Sequence, residues 1–301
     1  MFSRRHPVLF FLAMLAGCLS FMVVGIAGFV FLGSGMVMTK FSHKSLSADK
    51  GNIGIVEIRG VILSSKKIIH DIEKFKENDA IKAIILRIDS PGGGIGPSQE
   101  IYRQIMKIRQ DKKIIASMGS VAASGGYYIA CAANGIVANP GTITGSIGVI
   151  MEYANLMDIA KKIGISPVVI KSGEFKDMGS PLRELKDSEK KIFQSLVDEL
   201  HMQFVKDVAA ARHMKVQTIA KLADGRVYTG QKALRLKLVD RLGNLDDAVE
   251  WAGEMAHIRG KLKPVYPDED KMNFFRKLAE TLLKDFNISG TITDNFRYII
   301  N

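Results

Sequence analysis

The sequence predicts an α/β fold of parallel strands covered by helices, preceded by one transmembrane helix. Two observations support this prediction. From Ile53 to His257, apolar runs of strand length alternate with helical patterns, and the lengths between them suit crossovers between parallel strands. Ahead of this region, Val8 to Leu32 is a 25-residue stretch without a charged residue. A bilayer core needs about 20 apolar residues, so this stretch is long enough to cross it.

The amino-terminal apolar stretch is interpreted as an uncleaved membrane anchor. Arg4 and Arg5 precede it, so the positive-inside rule keeps the short amino end in the cytoplasm. The rest of the chain is then expected on the outer side of the membrane. The alternative is a cleaved signal, since Leu15 to Cys18 is similar to a lipoprotein processing site, where Cys18 would carry lipid. Against this, the apolar run continues past Cys18.

Composition divides the chain into four segments. Residues 1–38 hold the cytoplasmic end and the anchor, and residues 39–52 form a polar juxtamembrane linker. Residues 53–262 are the globular domain, and residues 263–301 are a tail with an amphipathic stretch from Asn273 to Phe286. That stretch is open to three interpretations, because it can lie on lipid, cover a groove of the domain or pack against a neighbouring subunit.

The globular domain begins with three predicted strand and helix pairs. Each predicted strand is a short apolar run, and each predicted helix has apolar residues at helical spacing. In chain order, the predictions are strand Ile53–Ile58, helix Lys66–Glu77, strand Ala83–Ile88, helix Pro97–Gln110, strand Lys113–Met118 and helix Ala122–Ala133.

The second half of the domain is predicted to be dominated by one long helix. Asp187 to Met214 has apolar residues at four-residue steps, and the face that they form is expected to pack. Asp187 or Ser188 is expected to cap its start. A strand-like turn unit from Gly225 to Gly243 and a final helix from Asn244 to His257 follow. The residues of the apolar face are Ile192, Leu196, Leu200 and Phe204.

Charge and cysteine content exclude several classes of protein. The net charge is +11, but the basic residues are spread along the chain without a basic run or an aromatic-interleaved patch. An anionic membrane surface therefore explains the charge better than nucleic acid does. The two cysteines, Cys18 and Cys131, match neither a disulfide framework nor a metal site, so no metal or cofactor is expected. Cys131 is predicted to be a buried apolar residue.

A glycine-rich turn follows the second predicted strand. Asp89-Ser90-Pro91-Gly92-Gly93-Gly94 lies between that strand and a helix, and its glycines let a ligand approach the main chain closely. A phosphate cradle is a competing interpretation, but the Gly-Lys-Ser/Thr ending of such loops is absent from this motif. A plain strand-to-helix turn remains the third interpretation.

A second turn places a serine at the start of a helix. In Gly119 to Tyr128, Ser124 is flanked by Ala123 and Gly125 directly after an apolar strand. Its hydroxyl would be accessible, and nearby amides together with the positive helix end would stabilise an oxyanion. Ser124 is therefore a candidate nucleophile, although a helix cap with small neighbours explains the local sequence equally well.

A serine nucleophile requires a base, and the six histidines offer no recognisable partner. A lysine serves instead if burial or neighbouring donors keep its amine neutral at working pH. Lys176 is the candidate, in a glycine-containing loop ahead of the long helix. An ordinary surface lysine is the alternative.

Together these motifs resemble the signal peptide peptidase A (protease IV) family of bacterial Ser/Lys serine peptidases, in its single-copy short form. The resemblance extends from Ile53 to about His257. The motifs that carry it are Asp89 to Gly93, Ala123 to Tyr127, Thr144 to Val149, Lys176 before Ser180-Pro181, and Gly225 to Gly230.

The resemblance implies a role for each matching residue. Ser124 is implied as nucleophile, Lys176 as general base and later acid, and Ser146 as the hydroxyl that orients the lysine amine. The amides of Gly92 and Gly125 are implied as the oxyanion hole. Gly94-Ile95-Gly96 departs from the family pattern, which leaves open by one position the glycine amide that points into the hole.

The resemblance also implies a fold, an assembly and a substrate class. The expected fold is that of Clp protease and the crotonases. The expected assembly is a homo-oligomer, an octamer by analogy, in which neighbouring subunits share Ser124 and Lys176. The expected substrates are remnant signal peptides, and the expected surroundings are membrane lipid, with no nucleic acid.

Three alternatives compete with this interpretation. Ser64/Lys67 and Ser188/Lys191 match the Ser-x-x-Lys motif of penicillin-binding enzymes, but the other elements of that family are in the wrong order. A crotonase-like acyl-CoA enzyme shares the fold, but a periplasmic domain does not suit a cytosolic thioester. A non-catalytic membrane scaffold would not need the complete set of candidate residues.

Overall fold

The computed structural model describes residues 51–267, in which helices and strands alternate along the chain. The predicted anchor, most of the predicted linker and residues 268–301 of the tail lie outside the described residues. None of the helices within residues 51–267 is long and apolar enough to cross a bilayer. The domain and the candidate site are therefore described from this range alone.

Eight strands of the described range form one sheet. In space their order is β6-β5-β3-β2-β1-β8, with β4 paired to β3 and β7 paired to β4. All pairs are parallel except the antiparallel pair of β5 and β6. The strands are β1 (Ile53–Ile62), β2 (Ala83–Gly93), β3 (Lys113–Ala123), β4 (Gly135–Ala138), β5 (Ile143–Gly145), β6 (Val227–Thr229), β7 (Arg241–Leu242) and β8 (Pro264–Val265).

The helices of the described range connect these strands. They are α1 (Lys66–Glu77), α2 (Ile95–Ile108), α3 (Gly125–Cys131), α4 (Met157–Lys162), α5 (Asp187–Ala211), α6 (Val216–Ala220), α7 (Gly230–Arg235) and α8 (Leu245–Met255).

Both faces of the central strands are buried, which explains why these strands read as continuous apolar runs. Alternate residues of β2 point to opposite faces, so Ile84 and Leu86 join one core while Ala83 and Ile85 join the other. The first core packs against α1, α2, α3 and the second half of α5. The second core packs against α8. The mostly parallel α/β sheet predicted from the sequence is confirmed.

Several predicted boundaries were wrong. The second and third strands run on to Gly93 and Ala123, so Ala122 and Ala123 belong to a strand and not to a helix. The region from 225 to 243 contains two short strands and the helix α7, not a single turn unit. The first residues of the predicted tail also join the sheet, because Pro264 and Val265 pair with β1.

The long helix α5 differs in its two halves. Its second half is buried against the first core, through Phe204, Val205 and Val208. In its first half, Ile192 and Leu196 of the predicted apolar face are exposed. The predicted packing of the whole apolar face therefore holds for its last turns alone.

The start of α5 is capped in a way that was not predicted. Neither Asp187 nor Ser188 supplies the cap, because the Glu189 carboxylate accepts a hydrogen bond from the Lys186 amide at 3.0 Å. A carboxylate in the first turn also interacts favourably with the positive end of the helix.

An extended segment precedes α5, and we call residues 150–186 the arm. Apart from α4 and a series of turns, it has no regular secondary structure. Its apolar side chains are largely exposed in the single chain: Ile150 is 83% exposed, Val168 88% and Ile170 97%. The arm therefore carries an apolar surface that the described residues of one chain do not cover.

Candidate active site

Ser124 lies at the sharp turn where β3 ends and α3 begins. Its backbone has φ 52° and ψ −121°, a conformation that glycine adopts readily and that crowds the Cβ of other residues. The Ser124 amide donates to the Gly145 carbonyl at 2.8 Å, and the Ser124 carbonyl accepts from the Tyr128 amide at 2.9 Å. Such strain, which costs about 1–3 kcal/mol, is typical of functional sites. The side chain of Ser124 remains partly exposed.

The glycine turn after β2 packs directly against the Ser124 turn. A Cβ added to Gly92 would come within 2.8 Å of both the Gly125 nitrogen and the Ser124 Cβ. Gly92 also has φ +110°, which side chains other than glycine rarely adopt. Both its conformation and its close contact therefore require glycine at this position. The structure brings Gly92, Ser124 and Gly125 together, as the sequence motifs predicted.

The amide of Gly92 already has a partner. It donates to the buried Ser90 hydroxyl at 3.1 Å, which directs it back into its own turn. The next amide is near the start of α3, since a Cβ added to Gly125 would lie 3.3 Å from the Gly93 nitrogen. Amides in the first turn of a helix lack an intrahelical acceptor, and Gly125 is the first residue of α3. The Gly92-Gly93 turn and the first amide of α3 therefore lie next to each other beside Ser124.

Ser146 follows β5, the strand that pairs with the end of β3. Ala123 is opposite Gly145 in this parallel ladder, so Ser124 and Ser146 leave the sheet side by side. Ser146 has φ 49°, and its amide donates to the Arg226 carbonyl at 2.9 Å. The two serines thus stand on neighbouring constrained turns at one edge of the sheet. The carboxyl edge of parallel strands is the usual location of ligand sites in such folds.

The helix α3 holds the Ser124 turn rigidly because all of its residues are buried. The Tyr127 hydroxyl donates to the Leu238 carbonyl at 3.0 Å, and the Tyr128 hydroxyl donates to the Asp207 carboxylate at 2.5 Å. The Tyr128 ring also stacks on Phe204, with 4.3 Å between ring centroids. Burial raises the pKa of Tyr128, so the phenol stays protonated and keeps this hydrogen bond to α5.

Cys131 is excluded as a second nucleophile. It is fully buried at the end of α3, and its thiol donates to the Tyr128 carbonyl at 3.1 Å. Burial raises the pKa of this thiol, so the reactive thiolate is disfavoured. The prediction of a buried apolar cysteine is confirmed.

Lys176 lies on the arm. Its side chain is exposed, and it belongs to a turn where its amide donates to the Gly173 carbonyl at 3.2 Å. Among residues 51–267 of a single chain, its ammonium group forms no hydrogen bond or ion pair. The described chain thus brings Ser124, Gly92, Gly93, Gly125 and Ser146 together, and Lys176 is exposed on the arm.

Two residues that support the site were not found from the sequence. Ser98 is buried on α2 and donates to the Gly94 carbonyl at 2.8 Å, and its Oγ would lie 2.5 Å from a Cβ added to Gly125. The Asp89 carboxylate accepts from the Val121 amide at 3.1 Å and so ties the β2 turn to β3. Both are small polar residues beside glycine turns, which was the signal available in the sequence.

Comparison with known proteins agrees with this geometry. The model of peptidase family S49 matches residues 107–259, and that of Clp protease matches residues 60–142. A Synechocystis protein named as a protease, slr0021, is 42% identical over 77% of this chain and 84% of its own length. An Enterococcus faecium protein named as signal peptide peptidase SppA is 36% identical over 71% of this chain and 62% of its own length.

The chain belongs to peptidase family S49. It is therefore a serine peptidase, as the motifs predicted. Among solved structures, a mutant of the 1510-N membrane-bound stomatin-specific protease has a TM-score of 0.50 and 17% sequence identity. The match covers 73% of this S49 chain and 99% of the other chain, and it supports the fold.

Proposed function

We propose that this S49 peptidase is a membrane-anchored endopeptidase in which Ser124 is the nucleophile and Lys176 the general base, acting on remnant signal peptides. The observation that carries the proposal is the strained turn at Ser124, which presents a partly exposed hydroxyl beside the Gly92-Gly93 turn and the start of α3. A serine held in this way needs a base and an oxyanion site to become a nucleophile.

Acylation follows from these positions. The neutral Lys176 amine takes the proton of the Ser124 hydroxyl. At the same time, Ser124 Oγ attacks the scissile carbonyl carbon. The carbonyl oxygen becomes an oxyanion, which the Gly125 amide and an amide of the Gly92-Gly93 turn stabilise by hydrogen bonding. The Lys176 ammonium then protonates the departing amine, and an ester to Ser124 remains.

Hydrolysis of the ester repeats the steps with water. The Lys176 amine takes a proton from water, the resulting hydroxide attacks the ester carbonyl, and the oxyanion forms at the same amides. The ammonium then returns the proton to Ser124 Oγ as the new carboxyl group leaves. The Ser146 hydroxyl, on the turn beside Ser124, orients the amine through both stages.

The proposal includes a homo-oligomer in which Lys176 reaches Ser124 of a neighbouring copy. The arm supports this, because Ile150, Val168 and Ile170 are almost entirely exposed in the single chain. Exposed apolar patches of this kind mark interaction surfaces. Burying the arm against a second copy would bring its lysine to a serine that the single chain leaves without a base.

The membrane location and the substrate class are supported from outside the described residues. Val8 to Leu32 has the length and apolar character of a bilayer-spanning helix. The E. faecium relative is named as a signal peptide peptidase, which supports signal peptides as the substrate class. An anchored peptidase with exposed apolar surface suits apolar peptides held at the membrane.

The decisive experiment measures hydrolysis of a fluorogenic peptide with a small apolar residue before the cut. The full-length native chain, Ser124→Ala, Lys176→Met and an equimolar mixture of the two variants are compared in detergent. We expect each variant alone to lose at least about 1,000-fold in kcat/KM without unfolding. Dissociation and reassembly of the mixture should restore part of the activity, since some neighbouring pairs then combine an intact Ser124 with an intact Lys176.

Each outcome has one meaning for the proposal. Activity that survives in either variant removes the dyad. If both variants lose activity and their mixture does not recover it, the dyad is kept but lies within one chain. A tag on one variant verifies that subunits have exchanged in the mixture. Cleavage of a signal peptide in proteoliposomes at no greater rate than a scrambled apolar peptide removes the substrate class.

A further inference from the structure

Arg183 on the arm uses every donor of its side chain. A guanidinium group has five N–H donors, and here each has an acceptor. The acceptors are the side chains of Asp177 and Glu189 and the backbone carbonyls of Asp177 and Glu184. The bonds are Nε to Asp177 Oδ2 at 2.8 Å, Nη1 to Glu184 O at 2.9 Å and to Glu189 Oε2 at 2.8 Å, and Nη2 to Asp177 O at 3.0 Å and to Glu189 Oε1 at 2.6 Å.

One of these partners follows Lys176 directly in the chain. Asp177 is bound to Arg183 through both its carboxylate and its carbonyl, and the second carboxylate oxygen accepts from Lys171 at 2.6 Å. Its side chain is 14% exposed, although it lies on an otherwise exposed arm. Asp177 is therefore fixed in both position and orientation, and this restrains the adjacent residue.

The other partner connects the arm to α5. Glu189 lies in the first turn of that helix with a side chain only 1% exposed, and it accepts both Arg183 bonds while capping the helix start. Bidentate bonding of this kind fixes direction as well as distance. The Arg183 pairs lower the pKa of Asp177, and together with the Lys186 amide lower that of Glu189 to about 2, so both remain ionised partners.

The turn around Lys176 is further fastened to the same helix. The Ser180 amide donates to the Asp177 carbonyl at 3.1 Å, and Gly179, with φ +81°, packs at the Phe193 ring. A Cβ added there would lie 3.2 Å from the ring. The Lys176 side chain itself makes none of these contacts, so the turn is held while the amine is left available.

We propose that Arg183 is a positioning residue that locks the Lys176 turn onto the start of α5 and so presents the lysine amine to the nucleophile. This inference depends on the proposed role of Lys176 as base. Arg183 acts through Asp177 and Glu189 and does not itself touch the reacting atoms. A base carried on an irregular segment requires such a lock, because a misplacement of about 1 Å costs roughly 100-fold in rate.

Lysine cannot replace arginine in this lock. An ammonium group has three donors at one point, whereas the observed contacts need a planar fork reaching two carboxylates and two carbonyls. Arg183→Lys preserves the charge and loses most of the geometry, so it separates positioning from simple charge pairing. Arg183→Gln removes both.

The test measures kcat and KM for peptide hydrolysis with the full-length chain in detergent, together with thermal unfolding and oligomer size. We expect Arg183→Gln to lower kcat roughly 10- to 100-fold with KM within about twofold of native. Arg183→Lys should give an intermediate kcat. Arg241→Gln is the matched control. Arg241 lies on β7 and not on the arm, and its guanidinium stacks on Trp251, 4.1 Å from the ring centroid, so this variant should keep the native kcat.

Two results would overturn the inference. The first is a kcat within about twofold of native in both Arg183 variants, because a merely structural ion pair could be lost without affecting the base. The second is a fall in kcat that is no larger than the fall in the fraction of enzyme that is folded and assembled. If Arg183→Gln does not fold, Arg183→Lys is used instead, provided that its unfolding temperature equals that of the native chain. Its kcat then decides between the same two results.

Lys176→Met in the same assay separates this inference from the proposed function. Turnover that persists in Lys176→Met removes the dyad, and the positioning role falls with it. An inactive Lys176→Met beside fully active Arg183 variants leaves the dyad intact and rejects Arg183 as its positioning residue.

Discussion

The turns that hold Ser124 and the arm that holds Lys176 are built in different ways. The turns after β2, β3 and β5 are fixed by backbone hydrogen bonds and by close contacts that only glycine allows. The arm is fixed to α5 by one cluster of ion pairs, and its apolar side chains face outward. The proposed nucleophile therefore depends on the core of its own chain, whereas we expect the proposed base to depend on Arg183 and on a second copy.

This difference predicts which substitutions act through folding and which act through assembly. Changes at the turns should affect both the stability of a single chain and its turnover, because strain and close packing are stored there. Changes at the exposed apolar side chains of the arm should leave the single chain stable and act on assembly and turnover. Four experiments test this division, beginning with the largest expected loss of stability.

Gly92→Ala should have the largest effect. The added Cβ would lie 2.8 Å from the Gly125 nitrogen and the Ser124 Cβ, at a φ of +110°. We expect a loss of about 3 kcal/mol in stability and at least about 100-fold in kcat. Thermal unfolding and peptide hydrolysis measure the two. Gly96→Ala is the control, since a Cβ there meets nothing within 4 Å, and a native-like Gly92→Ala would contradict the described turn.

Ile170→Asp tests the arm. The residue is 97% exposed, so the free energy of unfolding of a single chain should stay within about 0.5 kcal/mol of the native value. A charge in the apolar surface should weaken assembly and lower kcat/KM by about 10-fold or more, because a contact with another copy would bury it unpaired. Light scattering gives the oligomer size. Gln217→Asp adds the same charge at an exposed position of α6. Equal oligomer sizes and equal kcat/KM values in the two variants would contradict an assembly role for the arm.

Ser124→Gly should stabilise the chain while it abolishes turnover. Glycine adopts φ 52° and ψ −121° without Cβ crowding, so the variant should be more stable than Ser124→Ala by about 1 kcal/mol. Comparing glycine with alanine isolates the backbone, because both variants lack the hydroxyl. Equal unfolding temperatures would mean that the turn stores no strain.

Acid should weaken the arm cluster. The pKa of Asp177 is lowered by Arg183, and that of Glu189 is lowered to about 2 by Arg183 and the Lys186 amide. Depressed carboxyl pKa values give stability that is complete above about pH 5 and is lost as the pH falls toward 2. The native unfolding temperature should therefore fall more steeply than that of Arg183→Gln between about pH 5 and 3. Parallel curves would show that the cluster adds no pH-dependent stability.

The sequence predicted the sheet well because its signals are local. Runs such as Ile84-Ile85-Leu86 are apolar on both faces, which is typical of a parallel strand between two layers of helices. The boundaries at Gly93 and Ala123 were missed because Asp89-Ser90-Pro91 and Gly119-Ser120 interrupt the apolar runs, although the strand pairing extends past them. The short α7 was missed because six residues are too few to show a helical period.

The site was predicted less completely, for reasons of distance along the chain. Ser124 and the glycine turns share local motifs and were found, but the engagement of the Gly92 amide by Ser90 depends on a turn geometry that the sequence does not specify. Asp177, Arg183 and Glu189 follow one another at six-residue steps through an irregular segment. No helix or strand period marks such a cluster, so it became visible only with coordinates.

The exposed position of Lys176 has a consequence for latency. Many peptidases are kept inactive by a propeptide that is later removed. If the amine reaches Ser124 only from a second copy, dilution has the effect that a propeptide has elsewhere. Each newly made chain then contributes a serine to one site and a lysine to another, and by itself it forms no complete site. Specific activity would then rise with the surface density of the chain in its membrane, and a sparse population would remain silent without any inhibitor.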